Sequence, residues 1–270
     1  MEKEYLGTGQ IAESSRVDNY PGIPGIDGYS LGEKFREHAE SLGVEFTEAQ
    51  VLSLGQKDGI WIIGCDEDIT LESKAVIYAT GCKNRPLGVP GEEKYYGRGL
   101  SFCAVCDGAF YKGKRVAVIG GGDTALDDAM YLSDICEKVY LVHRREFFRG
   151  SASTLEKLKQ KENVEIIVNA RVEEITGDKK IDGIILDNKT KLNISGLFAA
   201  VGMIPQTELL KEFGVLDESN YVKASEDTKT TVNGLFAAGD VRTKQLRQVV
   251  TAAADGANAI YSVMEYLRNI

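Results

Sequence analysis

The stretch FCAVCDG sets two thiols, Cys103 and Cys106, three positions apart, with the carboxyl of Asp107 directly after them. Two intervening residues let the sulfurs reach one another and close a small ring, and such pairs can hold one sulfur at a depressed pKa. Dithiol–disulfide exchange is the chemistry these residues suit, with Asp107 placed to protonate a leaving thiolate or deprotonate an attacking thiol. The competing reading is half of a zinc site, which needs a second Cys pair or a Cys/His pair. The remaining cysteines, Cys65, Cys82 and Cys136, are isolated within or beside apolar runs, and the histidines are His38 and His143. No metal site is therefore expected, and five cysteines do not describe a disulfide scaffold.

A second chemistry lies in VIGGGDTA, where Gly120, Gly122 and Ala125 satisfy G-x-G-x-x-A. The context is the required one: an apolar strand, RVAVIGG (115–121), precedes it and a helical stretch, DTALDDAMYLSDIC (123–136), follows. Glycine lets the backbone approach a pyrophosphate, and the first helical residues, Asp123 and Thr124 among them, offer N–H groups to that anion. The next apolar strand, KVYLVHRR (138–145), ends where an NAD site commonly carries an acidic residue on the ribose. Here stand His143, Arg144 and Arg145, with Arg149 close behind, and such cations suit the 2′-phosphate of NADPH. A solvated basic loop is the plainer reading of the same charges. The opening GTGQIA (Gly7, Gly9, Ala12) matches the fingerprint only formally, because too little chain precedes it for a strand and no helical periodicity follows before Pro21.

The chain that must position these groups has 270 residues, 43% of them hydrophobic, enough for two modest α/β domains. With 41 Asp and Glu against 32 Lys and Arg the net charge is −9, which excludes nucleic acid or an anionic membrane as the main ligand. No apolar run reaches the roughly 20 residues of a spanning helix and no basic stretch followed by an apolar one opens the sequence, so neither insertion nor secretion is signalled and the cytoplasm is the expected location. The N-terminal third predicts a helix over 30–42 and strands over 51–56, 60–65 and 75–81. Beyond the glycine unit the pattern predicts a helix over 153–163, strands over 164–169, 171–176 and 182–188, and a last helix over 249–268. Two phrases echo each other, GLFAAVG (196–202) and GLFAAGD (234–240), both read as buried strands ending in a turn.

A nicotinamide delivers a hydride whereas a disulfide accepts electrons at sulfur, so a flavin is expected between them. FCAVCDGAF, VIGGGDTA, HRREFFR, ATGCKNRPLGVPGE, LFAAGDVR and LRQVVTAAADG occur in the order found in the low-molecular-weight, bacterial-type thioredoxin reductases, which the chain resembles over essentially its full length. The resemblance implies an α/β fold of two Rossmann-like dinucleotide-binding domains of three-layer ββα type. An NADPH and redox-disulfide domain (86–211) would be inserted into a discontinuous FAD domain (1–85 and 212–270), hinged near 84–87 and 205–211. It also implies that Cys106 faces the flavin, Cys103 attacks the partner disulfide and Asp107 donates a proton. Gly239 and Asp240 would bind the ribityl and phosphate region of FAD with Val241 beside them. Arg247, Gln248 and Val249 would line the ring system, and Thr80, Gly81, Gln10 and Asn19 would add polar contacts. In the family a strand, a G-x-G-x-x-G loop and a helix precede a second strand closing in an acidic residue. Glu2 matches that residue, so the expectation is an FAD domain truncated at its N-terminus, with GTGQIA the loop after the absent unit. The implied activity is transfer of electrons from NADPH through FAD to the cysteine pair and on to thioredoxin, in a homodimer. The alternatives are a flavin-free NADPH-binding or dithiol module, an inactive fragment, or a reductase of another redox partner.

Overall fold

The computed structural model describes residues 1–3, 9–14 and 16–270; Gly7 of the GTGQIA stretch lies outside them. The chain divides into two units, Met1–Lys83 with Met203–Ile270, and Asn84–Gly202. Helix α1 (Gly28–Ser41) begins two residues before the expected Ser30, because the Asp27 carboxylate accepts from Ser30 N at 2.9 Å and caps the turn. Strands β1 (Val51–Lys57), β2 (Ile60–Cys65) and β3 (Thr70–Ser73) form an antiparallel meander. Its first hairpin turns on Asp58 and Gly59, both at positive φ, which is the backbone a two-residue turn between twisted strands demands. Strands β4 (Val76–Tyr78) and β5 (Cys82–Asn84) follow, shorter than the expected run 75–81, since the chain leaves the sheet at Thr80 and Gly81.

The second unit is built on a five-stranded parallel sheet. Along the chain come β6 (Leu100–Ser101), the one-turn helix α2 (Ala104–Asp107), β7 (Arg115–Gly120), α3 (Asp123–Ile135) and β8 (Lys138–Val142). They continue with α4 (Ala152–Lys159), β9 (Val164–Ile167), β10 (Val172–Thr176), β11 (Gly183–Leu186), β12 (Lys191–Asn193) and β13 (Gly196–Ala200). The parallel strands lie in the order β6-β13-β7-β8-β9. Alternation sorts their side chains. Val116, Val118, Val139, Leu141 and Phe198 meet Ala125, Leu126, Ala129 and Leu132 of α3. Ala117, Ile119, Val142, Leu197 and Ala199 turn the other way, against Ile175, Ile184, Leu186 and Leu192 of the antiparallel β10-β11-β12 sheet. The result is the expected three-layer ββα stack, and burial on both faces is why these strands read as unbroken apolar runs. Each fully buried Leu contributes about 1.5–3 kcal/mol to it.

The chain re-enters the first unit through β14 (Met203–Pro205), which pairs with β5. This corrects the expected boundaries, because residues 203–211 belong to the first unit and 84–85 to the second. Gln206 fastens that return: its N–H donates to Gly81 O at 3.0 Å, and its carbonyl accepts from Tyr78 Oη and Thr80 Oγ1. Strand β15 (Leu235–Ala237) then pairs in parallel with β4, and α5 (Val249–Arg268) ends the fold. The core here gathers Trp61, Tyr78, Leu210, Val222, Leu235 and Val241. Among the described residues, no helix is long and apolar enough to cross a membrane.

The cysteine-bearing turn is fixed by a close approach: a Cβ on Gly108 would lie 2.7 Å from Tyr131 Cε1 and 3.1 Å from Leu132 Cδ2 of α3. Gly108→Val should therefore lower stability by about 1–3 kcal/mol, the usual cost of overpacking, read as a lower denaturant midpoint at unchanged slope.

Candidate active site

In the second unit Cys103 and Cys106 form a disulfide with Cα atoms 5.3 Å apart. Cys103 caps α2, and its sulfur accepts from Cys106 N at 3.2 Å. The same N–H is in place to stabilise a thiolate on Cys103 once the pair is reduced, since the charged sulfur is the stronger acceptor. Ser101, which the sequence did not single out, ties the group together. Its hydroxyl donates to Asp107 Oδ2 at 2.6 Å and accepts from Cys103 N at 3.1 Å. The signal for it is local: a serine two residues before a backbone donor is a side-chain-mimicked turn. Burial raises the Asp107 carboxyl above its ordinary value, with the Ser101 hydrogen bond opposing.

The three glycines after β7 differ in what surrounds them. A Cβ on Gly120 would stand 2.4 Å from Ala200 O and 2.7 Å from Ala125 Cβ, and one on Gly121 would stand 2.1 Å from His143 Cε1. Both are small for packing. Gly122 has an extended backbone (φ −100°, ψ −177°), and a Cβ there would meet no atom within 4 Å. Neither conformation nor packing requires glycine at 122, so the open space above it is room for a ligand. Gly122 also caps α3 without a side chain, and the first intrahelical bond runs from Leu126 N to Gly122 O. The N–H groups of Asp123, Thr124 and Ala125 thus precede the helical ladder, as an anion cradle needs.

The arginine loop is tied to this turn. Arg149 N and Gly150 N both donate to Gly121 O, at 2.7 and 3.2 Å, and Ser151 N donates to Asp123 Oδ1 at 2.7 Å. That last bond engages the Asp123 carboxylate at the start of α3. Arg144, Arg145 and Arg149 are all exposed. His143 is not with them, which corrects its expected place at a 2′-phosphate. Its ring is 6% exposed, lies beneath Gly121 and stacks on Phe148 at 4.8 Å. Burial first, then the charges of Arg144, Arg145 and Arg149, hold its pKa below the ordinary value, and the ring props the turn.

In the first unit Asp240, Arg247 and, through Cys82, Gln10 are linked beside the Gly239 turn. Gly239 takes φ 76° after β15, and its N–H donates to Asp255 Oδ2 at 2.8 Å. Asp255, unmarked in the sequence, also accepts from Arg242 Nε and Nη2 and from Lys244 Nζ. Asp240 Oδ1 is buried without a protein partner, and burial raises that carboxyl. An orphaned acceptor of this kind fits a hydroxyl-bearing ligand such as the ribityl chain. The Asp240 carbonyl accepts from Cys82 Sγ at 3.0 Å and Arg247 Nε at 3.3 Å, Gln10 donates to Cys82 O, and Arg247 lies 4.2 Å over the Tyr221 ring. Asn19 Nδ2 donates to Gln248 Oε1 at 2.6 Å, and Gln248 and Thr251 cap α5 just before Val249. The side chain of Val241 is fully buried, so only its backbone is available to a ligand. Glu2 is held by backbone bonds to Thr47 and Ala49, with its carboxyl raised by burial.

Residues 1–256 match the pyridine nucleotide-disulphide oxidoreductase family. The chain is 40% identical over 97% of its length to a thioredoxin reductase of Helicobacter pylori, covering 88% of that protein, and 36% identical over 97% to that of Bacillus subtilis, covering 84%. The crystal structure of thioredoxin reductase from Streptococcus pyogenes superposes with a TM-score of 0.92 at 36% identity, over 100% of this chain and 90% of that one. The chain belongs to the thioredoxin reductase family. Thioredoxin reductases bind FAD and use NADPH, and the open cradle at Gly122 and the orphaned Asp240 oxygen fit those two ligands.

For a thioredoxin reductase the raised Asp107 carboxyl has two consequences of opposite sign. Folding favours its protonated form; this stabilisation is complete below the ordinary carboxylate pKa and is lost as pH rises through the raised value. Asp107→Asn should therefore unfold at the same or a higher denaturant concentration at pH 7. The same change should slow exchange between the reduced cysteine pair and thioredoxin disulfide by about 10²-fold or more, measured as thiol transfer under anaerobic conditions.

Proposed function

We propose that Cys103, Cys106 and Asp107 carry out the thiol chemistry of an NADPH-dependent thioredoxin-disulfide reductase, with Gly122, Arg144, Arg145 and Arg149 holding the nucleotide. The observation that carries this reading is the open space at Gly122, at the start of α3 that no side chain caps, with the arginine loop tied to the same turn through Arg149 N. Bound FAD supplies the two-electron relay that a hydride donor and a disulfide need between them. Gly239, Asp240, Arg247, Gln10, Asn19, Gln248 and Val249 form the set that would hold it, with Thr80 and Gly81 fastened to the return strand by Gln206.

The balance is simple. One hydride from NADPH and one proton from solvent convert the Cys103–Cys106 disulfide into two thiols. Breaking the sulfur–sulfur bond leaves a thiolate, and Asp107 in its protonated form supplies the proton. In the second half the Cys103 thiol returns its proton to Asp107, and the resulting thiolate attacks one sulfur of thioredoxin disulfide and expels the other, which takes up that proton. Cys106 then attacks the Cys103 sulfur of the mixed disulfide, restoring the ring and releasing dithiol thioredoxin. The Cys106 N–H at the Cys103 sulfur supports Cys103 as the outward nucleophile. A homodimer in the cytoplasm belongs to the same proposal, and the exposed Ile260, Tyr261 and Met264 of α5 support association with a second copy.

Changing Arg144 and Arg145 together to Ala should weaken NADPH by about 10²-fold while NADH changes by less than about threefold, since only the former carries the 2′-phosphate. Titration of both nucleotides checks this, and equal losses would assign the arginines a structural role.

A further inference from the structure

Phe147 is 76% exposed, the highest value among the exposed large apolar side chains of the described residues. It sits inside the basic loop, between Arg145 and Arg149, while its neighbour Phe148 turns inward onto His143. The backbone leaves it no route inward. Phe147 O is hydrogen-bonded to His143 Nε2 at 3.2 Å, and His143 is itself wedged beneath Gly121. Two residues on, Arg149 N and Gly150 N hold Gly121 O, and Gly150 is pressed so close that a Cβ there would lie 2.8 Å from Asp123 N. The loop thus presents one flat apolar ring to water, on a segment that also carries the exposed Arg144, Arg145, Glu146 and Arg149 and is tied to the glycine turn through Arg149 N and Gly150 N.

We propose that Phe147 is a specificity-determining residue for the nucleotide, the platform on which its adenine stacks. The inference rests on reading this loop as the 2′-phosphate site. In NADPH the adenine and the 2′-phosphate are carried by one ribose, so a base whose phosphate is held by Arg144 and Arg145 lies over the same loop. Aromatic stacking stabilises any base by its π-face. The arrangement supplies three separate recognitions on one pinned backbone: N–H groups for the pyrophosphate, cations for the 2′-phosphate and a ring for the base. The platform acts on the base whether or not the phosphate is present, whereas the arginines act on the phosphate alone.

The test is calorimetric titration of the full chain with adenosine 2′,5′-bisphosphate and with AMP, for the wild type, Phe147→Ala, Phe147→Tyr and the Arg144→Ala/Arg145→Ala double variant. Phe147 is exposed, so none of its variants disturbs the core. The expected result is that Phe147→Ala weakens both probes by the same factor, about 5- to 100-fold, that Phe147→Tyr restores both, and that the double variant weakens only the bisphosphate. Wild-type affinity in Phe147→Ala for both probes, or a loss confined to the bisphosphate, would overturn the platform while leaving the 2′-phosphate site intact. A raised KM for thioredoxin with unchanged nucleotide binding would assign the ring to the protein partner instead. A wild type that binds neither probe would overturn the nucleotide reading and the platform with it.

Discussion

The glycine turn at the end of β7 is the constraint on which the nucleotide half of the structure depends. Each of its three residues lacks a side chain for a different physical reason. At Gly120 the absence lets β7 lie against β13 and lets Ala125 of α3 close on the sheet. At Gly121 it admits the His143 ring, and the carbonyl of the same residue collects Arg149 N and Gly150 N. At Gly122 it leaves space. Because the first two are locked, the third is held open, and the arginine loop is set at a fixed place relative to it. The open surface at Gly122 is thus set by packing, and a ligand taken up there would meet a lowered ordering cost.

The buried carboxylates show how the same burial yields opposite behaviour. Desolvation opposes ionisation of Asp255, but hydrogen bonds from Arg242, Lys244 and Gly239 N outweigh it and hold its pKa below the ordinary value. Its stabilisation is present above the ordinary carboxylate pKa and is lost as pH falls through the depressed one. Leaving Arg242 without that partner would cost about 3–5 kcal/mol, since both side chains are 3% exposed. Asp107 and Asp240 lack such partners and are raised. The paired carboxylate shapes the Gly239 turn; the raised ones retain the capacity to exchange protons or accept a ligand's donor.

The βαβ unit around Gly120 was readable because its strands are buried on both faces and its helix carries Ala125, Ala129 and Leu132 at helical spacing. The cysteine pair was readable because its spacing alone determines reach. What escaped the sequence depends on tertiary neighbours. Asp255 lies in an Ala-rich helix with its partner Arg242 outside any periodic relation to it, so nothing local distinguishes it from a solvated acid. His143 stands in a run of cations, and only the gap beneath Gly121 shows that its ring is internal. The second boundary between units moved because Gln206 binds Tyr78, Thr80 and Gly81, partners more than a hundred residues earlier in the chain. Expected strand ends overrun the observed ones where the backbone turns at positive φ, at Gly81 and Gly239 and equally at Asn169 and Lys189.

The most direct test of the account is an anaerobic titration of the purified chain with NADPH, following the visible flavin bands and then counting free thiols before and after oxidised thioredoxin is added. The account predicts flavin near one per chain, bleaching by NADPH, the appearance of both cysteine thiols, and their transfer to thioredoxin. A colourless chain, or flavin bands that bleach without new thiols at Cys103 and Cys106, would contradict it.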